Sequence, residues 1–313
     1  GNYYIKNIAI NSNCYNVGVF GTTAGATIEN IVLYSDNGGI IQRSSIVTDN
    51  QCAYALGGLA GIAYEYADER ETSEAVIQNC AIAGYKIQDN SQNKLGLGEA
   101  VVGGLIGVSS LELDRCSAVV DIQINCTHLD KDSKLVAPKW GNFVRVGGLV
   151  GGVQYKVTNC YTGGTITIGS DTLNERVDKS RSLVTVKTST EKETEVENAK
   201  GTYVYIGGIG GSGFSSNFRN FSNKNGTDDG EPEYENCYTY TGLPTMQGTI
   251  MSISRIGSVA DRYEWAPSVT ITNCYYYAES DVQYNLPKYY CGKKSLATIL
   301  ASDEEKEKML QGD

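Results

Sequence analysis

Two short blocks recur along this chain in a fixed order, and that recurrence constrains the fold more than any other feature. The first block is rich in glycine: Val17-Gly18-Val19-Phe20-Gly21, Gly57-Gly58-Leu59-Ala60-Gly61, Gly103-Gly104-Leu105-Ile106-Gly107, Gly147-Gly148-Leu149-Val150-Gly151 and Gly207-Gly208-Ile209-Gly210-Gly211, with a worn copy at Ile256-Gly257-Ser258-Val259. The second reads apolar-x-Asn-Cys or a near relative. It occurs at Ile5-Lys6-Asn7-Ile8, Ile28-Glu29-Asn30-Ile31, Ile77-Gln78-Asn79-Cys80, Leu113-Asp114-Arg115-Cys116, Val157-Thr158-Asn159-Cys160, Tyr234-Glu235-Asn236-Cys237 and Ile271-Thr272-Asn273-Cys274. Asn7 and Asn30 lie 23 residues apart, about one bare turn of a three-strand coil, and the later spacings of 49, 36, 44, 77 and 37 residues read as the same coil with insertions.

Stacked coils put each position above its own copy, so repeated residues form ladders. An apolar residue three places before the Cys differs from it in strand parity, and a flat strand would point the two to opposite faces. A bend at Asn, which tolerates a left-handed backbone, turns both inward. Cys then serves as a small core hydrophobe. Glycine lets neighbouring coils approach closely and accepts turn dihedrals. Alternating stretches such as Thr165-Ile166-Thr167-Ile168 supply the third strand of a coil.

The two blocks together resemble the GLUG repeat family of bacterial surface proteins, whose units run as a glycine-rich strand, then Ile-x-Asn-Cys-Tyr, then Gly-x-Val. The nearest copy is Val146 to Gly151, followed by Val157-Thr158-Asn159-Cys160-Tyr161 and Gly164-Thr165-Ile166. The resemblance covers residues 3–277. It implies an exported β-helical protein at the cell surface, with no catalytic residues to carry over. Arg115 in place of Asn and the long insertions depart from the pattern. The expected fold is all-β: a single-stranded parallel β-helix over residues 1–294, right-handed as parallel crossovers generally are. It carries long loop or hairpin insertions and ends in a short C-terminal capping helix within residues 295–313.

Bulk composition excludes several classes of function. With 313 residues, 41% hydrophobic and 20% charged, the chain can bury a sizeable core. A formal charge of −10 repels nucleic acid and anionic membranes, and no Lys/Arg cluster offsets it. No apolar run is long enough to span a bilayer as a helix. The start at Gly1-Asn2-Tyr3, entering a repeat almost at once, suggests a segment taken from a longer multidomain protein, monomeric within it.

The insertions carry the irregular chemistry. Residues 64–74 are acidic and polar, residues 126–145 hold His128 and Trp140, and residues 214–233 are rich in Asn, Gly and Asp. Residues 170–200 are the longest and most charged insertion, where residues 182–187 are expected to pair with residues 202–206 in a protruding hairpin. Residues 295–310 have a helical composition, with Ser302-x-x-Glu305 matching a capping box. Such a helix would cover an open end of the stack.

No constellation of residues spells out a reaction. There is no Cys-x-x-Cys, so the recurring Cys read as a core ladder rather than a metal site, while Cys14, Cys52, Cys126 and Cys291 fall outside it. The single His128 has no motif around it. Asp68-Glu69, Asp228-Asp229 and Glu231-x-Glu233 invite a glycosidase pair or a Ca²⁺ site, yet no Ca²⁺-loop spacing accompanies them and solvated loop charge is the better reading. Tyrosine is the notable surplus at 22 residues. Tyr275-Tyr276-Tyr277 and Tyr289-Tyr290 put alternate rings on opposite faces of an extended strand, so at least one faces out. The expected function is a non-enzymatic, extracellular module without cofactor, binding a surface protein or glycan through loops on one edge. Tyr275, Tyr277, Tyr289, Trp140 and Tyr64 are its candidate contact residues, and a polysaccharide lyase or hydrolase and a passive stalk are the alternatives.

Overall fold

A computed structural model describes residues 3–44, 47–48, 52–65, 75–90, 92–93, 98–124, 142–168, 202–212, 232–242, 251–254 and 270–276. Among these the protein is all-β with no helix, and its parallel strands form stacked sheets, an arrangement compatible with a β-helix. The chain visits four sheets in constant order, and one such passage is called a coil below. Coil three shows the scheme: Gly98–Gly103 in the first sheet, Ile106–Ser109 in the second, Glu112–Asp114 in the third and Ser117–Ile124 in the fourth. Each strand pairs in parallel with its copy in the next coil, as in Val102 with Val146, Ile106 with Val150, Leu113 with Val157 and Ile122 with Ile166. A further two-stranded parallel sheet joins Val47–Thr48 to Gln92–Asn93.

Two corners of the coil are tight in every described copy, and their chemistry explains why. Between the third and fourth sheets one residue adopts a left-handed backbone: Asn30, Asn79, Arg115, Asn159, Asn236 and Asn273 have φ between 49° and 60°. This is the inward bend expected from the sequence. It buries both flanking positions, so that Ile77 with Cys80, Leu113 with Cys116 and Val157 with Cys160 are all inaccessible. Arg115 holds the strained conformation without the amide of Asn, and its guanidinium bonds to the Asn79 Oδ1 at 3.0 Å and to Asp114.

The other tight corner is the glycine block, and here the expectation of a glycine-rich strand is corrected. The block is the turn between two strands: Asn142–Gly147 ends where Val150–Val153 has yet to begin. A coil therefore has four strands, not three. At this corner successive coils nearly touch. A Cβ added to Gly104 would lie 2.1 Å from the carbonyl oxygen of Gly148, a backbone atom that cannot step aside.

In the coils whose four strands are all described, insertions enter at the two remaining corners. Residues 125–141 and 169–201 separate fourth-sheet from first-sheet strands, and residues 213–231 separate a second-sheet from a third-sheet strand. The expectation of loops on one edge is thus corrected to two edges. The structural reason is that the Gly and Asn corners have their backbone conformations dictated and accept no added length.

Two further expectations change. Asn7 takes the left-handed backbone expected of it, with φ 53°, but Ile5-Lys6-Asn7-Ile8 does not stand at the Asn–Cys corner. Tyr3–Lys6 pairs with the fourth-sheet strand Ile31–Arg43, Tyr3 opposite Ile31 at a separation of 28 residues, so 23 residues is not the coil length. Four residues match too short a motif to specify a corner without a third-sheet strand in front of them. Nor is Thr202–Gly207 half of a protruding hairpin. Its two edges pair with Asn142–Gly147 and Met251–Ser254, which leaves neither free. The terminal helix, the worn glycine copy at 256–259 and residues 182–187 lie outside the described residues.

One continuous apolar core runs through the coils, filled by inward rows such as Leu33, Ile82 and Ala118 or Leu56, Val102 and Val146. Within it lies a charged pair that the sequence reading missed. Arg43 and Asp89, adjacent in register, have side chains that are both fully buried and bond at two points, Nε to Oδ1 at 3.1 Å and Nη2 to Oδ2 at 2.8 Å. Nη1 donates to the Tyr15 carbonyl at 2.9 Å, and the guanidinium lies 4.1 Å from the Tyr54 ring centroid.

Candidate functional site

The fourth sheet has the longest strands, so its outer face is the broadest regular surface of the described protein. Side chains alternate along a strand, and in-register stacking turns each outward position into a column. The column just after the Asn–Cys corner reads Val32, Ala81, Ser117, Tyr161, Tyr238 and Tyr275 from one coil to the next. Tyr161 and Tyr238 stack with centroids 5.1 Å apart and planes 4° from parallel, the coil spacing itself imposing the stack. Tyr275 follows in register with Tyr238 and is half-buried, while its neighbour Tyr276 turns into the core, as the alternation expected.

A fourth ring joins this column. Tyr240 lies against the backbone of Gly163, where a Cβ would stand 2.2 Å from its ring atoms, so only glycine lets the ring lie down. Burial first, and then the neighbouring Tyr161 hydroxyl, raises Tyr238 and Tyr240 above the ordinary phenol value, which keeps both as neutral donors. Beneath the rings the sheet is braced by buried hydroxyls: that of Thr162 donates to the Gly208 carbonyl at 2.7 Å and meets that of Thr239 at 2.6 Å.

Further along the same strands the outward column is made of amides: Asn11, Gln42, Gln88 and Gln123, then Thr167. Gln88 donates to Asn90 at 2.8 Å. Between amides and rings, Asp121 accepts from the hydroxyl of Thr165 at 2.6 Å. The face thus offers planar aromatic carbon beside neutral donors and acceptors, with few formal charges.

Of the residues expected from sequence, Tyr275 belongs to this column. Tyr64 ends the second-sheet strand Ala60–Tyr64, half-buried against Ala55, Ile62, Val101 and Val108, and is not brought near Tyr275's column by any shared sheet. Tyr277, Tyr289, Trp140 and His128 lie outside the described residues. Tyr161, Tyr238 and Tyr240 were missed, although a signal was present. Three successive coils read Asn-Cys-Tyr, and the residue after an inward Cys must face out.

Asp68, Glu69, Asp228, Asp229 and Glu231 lie outside the described residues, and among the described ones the third-sheet carboxylates are held apart. Glu29, Asp114 and Glu235 occupy one outward column of the third sheet on separate coils, each already engaged: Glu29 accepts from Gln78 at 2.7 Å, Asp114 from Asn159 at 2.8 Å, and Glu235 pairs with Lys156 at 2.8 Å. Among the described residues no group of three His, Cys, Asp or Glu side chains is placed to hold a metal ion. The Cys column is buried, with free thiols at Cys80, Cys116, Cys160, Cys237 and Cys274 donating to backbone carbonyls, as Cys160 does to Thr158 at 3.0 Å. Burial, then hydrogen bonds to Cys116 and Cys237, pushes Cys160 well above the ordinary thiol value. Hydrogen bonds from the neighbouring thiols hold Cys116 and Cys237 below the ordinary thiol value against desolvation, while the same bonds and burial push Cys80 and Cys274 up. Cys14, by contrast, is exposed and unpaired.

Searches of protein-family models, of curated proteins and of solved structures each returned no match. Among the described residues no helix is long and apolar enough to cross a membrane.

Proposed function

We propose that this chain is a non-enzymatic, extracellular binding module of the GLUG-repeat type, a right-handed β-helix with a helical C-terminal cap, that contacts a neutral glycan through the outer face of its fourth sheet. The observation that supports this reading best is the in-register tyrosine column, Tyr161 on Tyr238 with Tyr240 laid over Gly163. Its ring edges and hydroxyls, beside the amide column, suit a ligand that presents C–H faces and hydroxyl groups together. Glu29, Asp114 and Glu235, on separate coils and each engaged with a neighbour, do not supply the pair within one sugar's reach that a glycosidase needs.

The test is retention of the purified chain on a panel of immobilised polysaccharides, with the eluates assayed for shortened chains. Retention without cleavage is expected, and Tyr161→Ala with Tyr238→Ala should weaken it about tenfold, the loss of ring contacts together worth roughly 1–2 kcal/mol. A thermal melt of the double variant separates lost contact from lost fold. Cleavage would overturn the binding-module reading, and absence of retention from every glycan would remove the ligand class.

A further inference from the structure

The fourth sheet is interrupted once in its long strand Ile31–Arg43. Tyr34 pairs with Ala83 and pairing resumes with Gly39 opposite Tyr85, so residues 35–38 stand against Gly84 alone. The base of this bulge is pinned. The buried Ser35 takes the Gly39 N–H on its hydroxyl at 2.7 Å, and Asp36 N–H donates to the Asn7 Oδ1 at 3.0 Å. Its tip is not pinned in the same way. Asn37 and Gly38 are both exposed, Gly38 has φ +71°, and a Cβ placed on it would meet nothing within 4 Å.

We propose that Asn37 is a site of spontaneous deamidation and isoaspartate formation in the folded protein. The Gly38 nitrogen attacks the Asn37 side-chain carbonyl carbon, a new C–N bond closes a five-membered succinimide, and the Cγ–Nδ2 bond breaks to release ammonia, which carries off the Gly38 amide proton. Solvent water then opens the ring at either carbonyl, leaving aspartate or an isoaspartyl linkage. Glycine after the asparagine admits this closure because it brings no side chain into the ring. The bulge admits it because no register partner holds Asn37 or Gly38 in a ladder. Where a ladder does hold the backbone, rotation into the attacking geometry requires opening the coil.

The corner asparagines show the opposite design. Asn236 is followed by Cys237, whose N–H is engaged by the Cys274 Sγ at 3.4 Å, and its own amide donates to Asn159. Asn30 is followed by the β-branched Ile31. The Asn236 amide is held, and at both corners the following residue brings a side chain into the ring. Conversion at Asn37 places a new carboxylate beside Asp36, on the sheet face that also exposes Tyr34 and Ile40.

The experiment incubates the folded chain and a urea-unfolded sample at mildly alkaline pH and follows each asparagine by peptide mass spectrometry, with isoaspartate scored separately. Asn37 should convert in the folded chain at nearly its unfolded rate, as expected of a segment with no opening cost, and faster with rising pH. Asn79, Asn159, Asn236 and Asn273 should stay amides until the chain unfolds. Peptide-level assignment keeps the second Asn-Gly pair, at 225–226, apart from the first. Asn37→Ser should abolish the conversion while leaving the thermal midpoint unchanged. Conversion more than about tenfold slower at Asn37 in the folded than in the unfolded chain would overturn the proposal, because it would show that the bulge protects this bond.

Discussion

Coils one and two differ from coils three and four at the same place in the core. The inward row that holds Arg43 and Asp89 continues in register to Ile124, and the first-sheet row that holds Tyr54 continues to Ala100 and Val144. One backbone frame thus accepts two fillings. In the first, two charges are removed from water, bonded to each other at two points and roofed by an aromatic ring. In the second, the same inward positions carry Ile124, Ala100 and Val144, all fully buried. A coil dictates which positions face inward, and it leaves open what chemistry fills them, provided every buried polar group finds a partner.

The largest test of that contrast removes one charge. Asp89→Ala leaves the Arg43 guanidinium buried without its carboxylate, and such an uncompensated charge costs about 3–5 kcal/mol. Urea unfolding of the variant should show a midpoint lowered to match, with the loss concentrated in the first coils. A drop below about 1 kcal/mol would mean that water or another acceptor reaches Arg43, and the two fillings would not differ as described.

Replacing the whole pair reverses the sign. Arg43→Ile with Asp89→Ile copies the filling found further along the row, and exchanging a buried ion pair for well-packed apolar groups is neutral or stabilising by about 1–4 kcal/mol. Equilibrium unfolding of the double variant beside Asp89→Ala measures both numbers on one scale. Destabilisation of the double variant would show that coils one and two require the pair, through the Tyr15 carbonyl that Arg43 also holds.

The same contrast marks what the sequence discloses. The corner at Asn and its inward neighbours was legible, because a left-handed bend needs a particular residue and the residue recurs: Asn79, Asn159, Asn236 and Asn273 announce themselves, and Arg115 is recovered by position. The fourth strand was hidden, because Gly147-Gly148-Leu149-Val150-Gly151 looks continuous in sequence, and only the approach of Gly148 to Gly208 reveals a corner. Asn7 misled, since a short motif carries no record of what it pairs with. The Arg43–Asp89 pair was illegible for the same reason: 46 positions apart in sequence, the two become neighbours only through register. The candidate surface lies between these cases. Tyr275 followed from alternation alone, but its continuity with Tyr161 and Tyr238 depends on the coils having no slip between them.

The finest test asks whether Tyr54 is part of the charged filling or merely occupies space. Ala100 and Val144 sit on the same row, so the frame does not demand an aromatic there. The guanidinium at 4.1 Å from the Tyr54 centroid is a desolvated cation on a ring face, a contact worth about 2 kcal/mol in such surroundings. Tyr54→Leu removes the ring face, keeps most of the apolar volume, and has the same lost packing in either background. Measured beside the Arg43→Ile, Asp89→Ile chain, the two Tyr54→Leu losses should differ by about 1–2 kcal/mol, the larger loss occurring where the cation remains. Equal losses would reduce Tyr54 to a space-filler. The charged filling would then rest on Arg43, Asp89 and the Tyr15 carbonyl without help from the ring, and the first-sheet row would vary independently of the fourth.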